Sequence, residues 1–180
     1  AEITSNPHTV ASADRIILPG VGSFNQGMKG LKKNNLITTL TDCLYVKKVP
    51  ILGVCLGFQL MTKKSSEFGE HKGLGWVDAE VKKFPIKKNF SNIHMGWNNV
   101  KIKKNDKIFK GLDKKEQFYF ANSYYVKLKK SQKETSSCKF SLKFTSSIED
   151  KNLLGVQFHP EKSQIPGLMI YKNFIENYAY

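Results

Sequence analysis

Val49-Pro50-Ile51-Leu52-Gly53-Val54-Cys55-Leu56-Gly57-Phe58-Gln59-Leu60 decides how this chain is read. Val49 to Val54 is a short apolar run rich in β-branched residues, the pattern of a strand buried on both faces. Leu56, Phe58, Leu60 and Met61 follow it and predict a helix from Leu56 to Lys64. Between strand and helix, Cys55 stands close to two glycines, Gly53 and Gly57. A nucleophile on a sharp strand-to-helix turn is the geometry of a nucleophile elbow, and glycines relieve its crowding. Such a turn lifts the sulfur above the sheet and sets it at a helix N-terminus, where the dipole favours thiolate. A lone buried cysteine is also commonly a small hydrophobe, so this stretch by itself leaves both readings open.

Outward from there the same alternation recurs. Arg15 to Leu18 is an apolar run stopped by Pro19-Gly20, and Ser23 can cap a helix carrying Phe24, Met28, Leu31 and Leu36. Leu153 to Phe158 reads as a further buried strand. Leu168 to Tyr178 reads as a closing helix with Leu168, Tyr171, Phe174 and Ile175 on one face. Strands alternating with helices argue an α/β fold with a mostly parallel sheet. The middle is β-prone: Gly73 to Phe84, Phe118 to Phe120, Ser123 to Val126, and Lys139 to Ile148 with its alternating Phe140, Leu142 and Phe144. These strands are expected to extend the sheet antiparallel. With 180 residues and no linker or repeat, residues 1–180 read as one domain.

Phe158-His159-Pro160-Glu161 ends the last of those strands. In an extended chain residues i and i+2 point to one side, so Glu161 can hold one imidazole nitrogen while the other faces a thiol. Strand ends of a parallel sheet converge on a crevice, which brings Cys55 and His159–Glu161 into one site. Acyl transfer needs two N–H donors for the oxyanion: Leu56 supplies one, and Val21 or Gly22 the other. A dinucleotide fingerprint at Gly20-Val21-Gly22 fails because position 25 is Asn25. Gln59, a helical turn after Cys55, can read a polar substrate or be an ordinary exposed residue. His8, His71 and His94 read as structural or surface residues, and Trp76 and Trp97 as core or interface aromatics.

Lys plus Arg is 29 against 15 acidic residues, a net charge of +14. Nucleic-acid binding is not favoured, because the basic residues are lysines except Arg15. They come as scattered dyads such as Lys32-Lys33, Lys63-Lys64, Lys87-Lys88, Lys103-Lys104 and Lys129-Lys130, the pattern of a solvated surface. Cys43, Cys55 and Cys138 are too few and too scattered for a disulfide framework, which fits a reducing cytoplasm. No CxxC or HxxxH suggests a metal site, no apolar run is long enough to span a membrane, and no secretory signal opens the sequence.

Three stretches, Ile17-Leu18-Pro19-Gly20-Val21-Gly22-Ser23-Phe24, Gly53-Val54-Cys55-Leu56-Gly57-Phe58-Gln59-Leu60 and Gly155-Val156-Gln157-Phe158-His159-Pro160-Glu161-Lys162-Ser163, resemble the class I (triad) glutamine amidotransferases. Lys72 to Trp76, His94 to Asn98 and Phe118 to Tyr125 narrow the resemblance to the glutaminase subunits of imidazole glycerol phosphate synthase. The resemblance implies a flavodoxin-like fold and a Cys55-His159-Glu161 triad that hydrolyses L-glutamine through a γ-glutamyl thioester, with no cofactor. It implies that Gly53, Gln59, Ser123 and Tyr124 hold glutamine, and that Trp97, Asn98 and Tyr119 face a partner. That partner is a (β/α)8-barrel cyclase, which uses the ammonia in histidine biosynthesis. The same resemblance admits relatives that feed ammonia to synthases modifying surface-polysaccharide sugars. Family members carry a first strand, a glycine-bearing loop and a helix ahead of the point where this sequence starts. Asn122 stands where they usually have histidine.

Overall fold

A computed structural model describes residues 1–86, 92–103, 106–130 and 133–178. The chain opens with a short helix, α1 (Pro7–Ala11), whose N-terminus is capped by Asn6 and begins with proline, a residue already shaped for that position. Then come β1 (Ile16–Leu18), α2 (Phe24–Lys33), α3 (Leu36–Tyr45), β2 (Ile51–Val54) and α4 (Leu56–Leu60). Strands β3 (Thr62–Ser65), β4 (His71–Lys72), β5 (Val77–Lys83), β6 (His94–Ile102), β7 (Lys115–Asn122) and β8 (Tyr124–Leu128) follow. The chain closes with β9 (Glu134–Lys139), β10 (Lys143–Asp150), β11 (Leu153–Val156) and α5 (Gln164–Asn177).

The main sheet has seven strands in the order β1-β2-β11-β10-β9-β6-β7. It is parallel across β1, β2 and β11, and antiparallel from β10 outward. Its strands β2 and β11 alternate between two cores, whereas β1 is buried on one face only, with Ile17 exposed on the other. Ile16, Ile51 and Leu153 pack under α1 to α4, while Leu52, Val54, Leu154 and Val156 pack with Phe118, Phe158, Ile170 and Phe174 on the other side. Both layers are needed because strands buried on two faces must be covered on both.

Four expectations change in detail. The helix after Cys55 ends at Leu60 rather than Lys64, because Leu74 and Val77 donate to the Leu60 and Met61 carbonyls and take the acceptors a longer helix would use. Thr62 to Ser65 then pairs with β5 as a strand. Part of the expected antiparallel extension forms a separate four-stranded sheet, β4-β3-β5-β8, so β5 and β8 lie outside the main sheet. The alternation from Lys139 to Ile148 is a hairpin rather than one strand: the chain turns between β9 and β10, where Phe140 N–H donates to the Leu142 carbonyl. Leu36 starts a new helix, since Asn35 adopts a left-handed backbone (φ 55°) that breaks the first.

In α5 the buried face is Gly167, Ile170, Asn173 and Phe174, with Tyr171 half-buried. Leu168 and Ile175, expected inside, are exposed. Gly167 sets this rotation, because a Cβ there would come within 1.9 Å of the Pro160 carbonyl oxygen. The lysine dyads within the described residues are exposed except for a half-buried Lys82, as a solvated surface requires; Lys87, Lys88 and Lys104 lie outside the described residues. No described helix is long and apolar enough to cross a membrane.

Candidate active site

Cys55 occupies a strained position, with φ 51° and ψ −107° between β2 and α4. That region is costly for a side-chain-bearing residue and persists only where its surroundings impose it. Two contacts do so. Cys55 N–H donates to the Val156 carbonyl at 2.8 Å, which ties the turn to β11. Gly57 lies so close to β1 that an added Cβ would sit 1.8 Å from the Leu18 carbonyl oxygen. The elbow predicted from the glycines is therefore present, and for Gly57 its cause is backbone contact with the neighbouring strand.

The sulfur is buried, and burial pushes the thiol pKa up to about 11. The Leu56 backbone N–H opposes that rise, the charge of Glu161 adds to it, and Gln157 and Lys162 oppose it more weakly. The helix-dipole expectation of a thiolate is thus reversed in the resting protein: α4 is only five residues long, and desolvation outweighs its N-terminal N–H groups.

His159 is buried in the turn that follows β11, and its Nδ1 lies 2.7 Å from Glu161 Oε1. The expectation that extended backbone brings them together is replaced by a tighter device. Pro160 to Lys162 form a single 3-10 turn, and Glu161 folds back onto the ring. Ser163 fixes the strand end: its hydroxyl donates to the His159 carbonyl at 2.5 Å and accepts from Tyr119 N–H at 3.0 Å. His159 N–H in turn donates to the Tyr119 carbonyl at 2.8 Å, tying the site to β7. The Tyr171 hydroxyl donates to Glu161 Oε2 at 3.5 Å.

Cys55 and His159 line one cavity of about 520 Å³. Val21, Gly22, Leu56, Gln59, Ser123 and Tyr124 line it as well. Gly22 has φ +96°, a left-handed conformation suited to glycine, in the loop after β1. Gln59 is buried rather than exposed; its Nε2 donates to the Tyr124 carbonyl and to Gln157 Oε1, each at 3.0 Å. Gly53 does not line the cavity. It lies within β2 beneath Phe58 and Met61, where a Cβ would meet Phe58 N and Met61 Cε at 2.7 Å.

Trp97 is half-exposed and packs edge-on against Tyr119 at 6.2 Å, with Lys162 Nζ 5.7 Å from the Tyr119 ring centre. Lys162 also lines the cavity, so this group borders its mouth. Asn98 is turned inward instead, donating to the Lys139 carbonyl at 3.1 Å and lying 2.9 Å from His94 Nε2. His94, read as structural, is buried, and desolvation lowers its pKa to about 4. Among the described residues no group of acidic, cysteine and histidine side chains forms a metal site.

Sequence reasoning passed over Gln157, whose Nε2 lies 3.7 Å from Cys55 Sγ. The available signal was the predicted strand Leu153 to Phe158, which in the structure ends at Val156: Gln157 precedes His159 by two residues. Glu67 was also missed: it lines the cavity and accepts the Phe24 N–H at the start of α2 at 2.6 Å. No local pattern pointed to it, because α2 and Glu67 meet only in the folded chain.

An elbow cysteine and a carboxylate-held histidine at adjoining strand ends form the chemistry of acyl transfer through a thiol. Residues 1–177 match the family model "Glutamine amidotransferase class-I", and the chain belongs to that family. It is 42% identical over 96% of its length to "Imidazole glycerol phosphate synthase subunit HisH 1" of Campylobacter jejuni strain RM1221, covering 86% of that protein. It is likewise 42% identical over 98% of its length to "Imidazole glycerol phosphate synthase subunit HisH 2" of Methanococcus maripaludis, covering 87% of it. Among solved structures, one titled "Crystal structure of glutamine amidotransferase" superposes with a TM-score of 0.74 at 16% identity, over 98% of this chain and 85% of the other. The glutaminase domain of Trypanosoma brucei CTPS with bound acivicin superposes at 0.64 with 18% identity, over 94% and 74%. These two likenesses concern the fold.

Proposed function

We propose that this chain is the glutaminase subunit of an imidazole glycerol phosphate synthase, and that Cys55, His159 and Glu161 are its triad. Cys55 Sγ attacks the carboxamide carbon of L-glutamine. Its proton passes to His159, then to the departing nitrogen, so the C–N bond breaks and ammonia leaves. A γ-glutamyl thioester remains, and water attacks it with His159 as base, releasing glutamate and restoring the thiol. Because burial keeps the resting thiol protonated, deprotonation accompanies attack rather than preceding it. Glu161 orients the ring and stabilises its charged form. The N–H of Leu56 and that of Val21 or Gly22 take the oxyanion. Gln59 and the backbone at Ser123 and Tyr124 hold the substrate.

The observation that carries this reading is the meeting of a strained cysteine and a carboxylate-paired histidine on one cavity. Ammonia then passes to a (β/α)8-barrel cyclase in the cytoplasm, docked over Trp97 and Tyr119 beside the cavity mouth. The protein acts without nucleic acid or membrane. The test is glutamate release from L-glutamine by the chain co-expressed with such a cyclase, together with imidazole glycerol phosphate formation from glutamine. Cys55→Ala is expected to abolish both while leaving synthesis from added ammonia intact. Full turnover in that variant would remove Cys55 from the mechanism.

A further inference from the structure

His94 and Asn122 are direct register partners across β6 and β7, so their side chains leave the sheet on one face. Both are buried, at 3% and 7% exposure. Each carries one buried polar atom with no partner among the described residues, His94 Nδ1 and Asn122 Oδ1. The two atoms are complementary. Asn98 Nδ2 lies 2.9 Å from His94 Nε2, and an amide nitrogen only donates, so the ring proton belongs on Nδ1. Asn122 Nδ2 donates to the Tyr124 carbonyl at 2.9 Å, which leaves Oδ1 as an acceptor. The ring is also held in place: Phe120 and Phe140 stack on it, each at 4.4 Å. A donor and an acceptor buried on register partners and both left unpaired are costly, and pairing them would relieve both.

The carbonyl that Asn122 holds is the one that anchors Gln59, whose Nε2 also reaches Gln157, and Gln157 reaches Cys55 Sγ. We infer that His94 and Asn122 are positioning residues for the glutamine site: a side-chain rotation that sets His94 Nδ1–H on Asn122 Oδ1 satisfies both unpaired atoms, and the amide so oriented fixes the Tyr124 carbonyl against Gln59. This rests on the glutaminase reading above. Asn122 also lines the cavity, but in this role each residue acts through Tyr124 and Gln59.

Two measurements test it. The first follows the His94 ring by nuclear magnetic resonance in the full chain and needs no activity. Asn122→Asp places a carboxylate against Nδ1–H and is expected to raise the His94 pKa by more than about one pH unit, whereas Asn122→Leu does not. An unmoved His94 in the Asp variant overturns the pairing. The second is steady-state glutamine hydrolysis in the complex with the cyclase. Asn122→Leu and His94→Phe are each expected to raise KM for L-glutamine about tenfold with kcat within about threefold, and the double variant is expected to be no worse than either alone. Unchanged KM, or fully additive losses, overturns the positioning role. If the leucine variant does not fold, near-isosteric Asn122→Asp, which loses the donor to Tyr124, carries the kinetic arm with the same expected KM. Absence of glutamine hydrolysis in the unaltered complex overturns the glutaminase reading and the positioning role with it, while the ring titration still decides the pair.

Discussion

Cys55 is subject to opposed influences: burial holds its proton, and the backbone N–H of Leu56 favours its loss. With a raised pKa, alkylation of the free chain by iodoacetamide is expected to quicken with pH up to a midpoint near 11. A midpoint near neutrality would show that desolvation does not control this thiol. Glu161 contributes differently, since it sits on the far nitrogen of the imidazole, 2.7 Å away. Glu161→Gln preserves shape and removes the charge that stabilises the protonated ring. It is expected to lower kcat for glutamine hydrolysis by about 10²–10⁴-fold with little change in KM, as steady-state kinetics would show.

At the scale of elements, the packing of the elbow sets the tolerance of the site. Gly57→Ala drives a methyl group into the Leu18 carbonyl, so β1 or α4 must move. A loss of about 3 kcal/mol or more is expected, together with loss of activity, measurable by urea denaturation beside an assay. Much of this level was legible in the sequence. The apolar runs at Ile51 and Leu153 announced buried strands and the glycines around Cys55 announced the elbow, while the run at Ile16, read as buried too, forms a strand whose Ile17 face is exposed. What was not legible depended on partners remote in sequence. Leu60 ends its helix because Leu74 reaches back to its carbonyl, and β5 and β8 form a second sheet by pairing with β3 and each other. The roles of Gln157 and Asn122 were hidden similarly, since their amides acquire meaning only from Cys55, Gln59 and Tyr124.

For the whole molecule, His94 links fold stability to pH. Its folded pKa of about 4 lies below its ordinary value of 6.5, because the neutral ring is buried among aromatic side chains. A depressed pKa gives stability that is fully present above pH 6.5 and is lost as pH falls through about 4. That window corresponds to roughly 3 kcal/mol. His94→Phe is expected to flatten this part of the pH–stability curve, as denaturation at pH 7 and pH 4.5 would reveal; an unchanged slope would place the acid sensitivity elsewhere. On the outer surface, Trp97→Ala is expected to weaken cyclase binding by about 2 kcal/mol by calorimetry, if the half-exposed indole anchors that contact.

The absent Cβ at Gly57 has one more consequence. It lets the peptide before Pro19 rest directly on the turn that bears the sulfur, so the loop offering Val21 and Gly22 and the nucleophile share one foundation. Chimaeras that transplant the loop from a homologue without its matching turn should misalign donor and nucleophile together, whereas exchanging the two as a unit should keep their spacing.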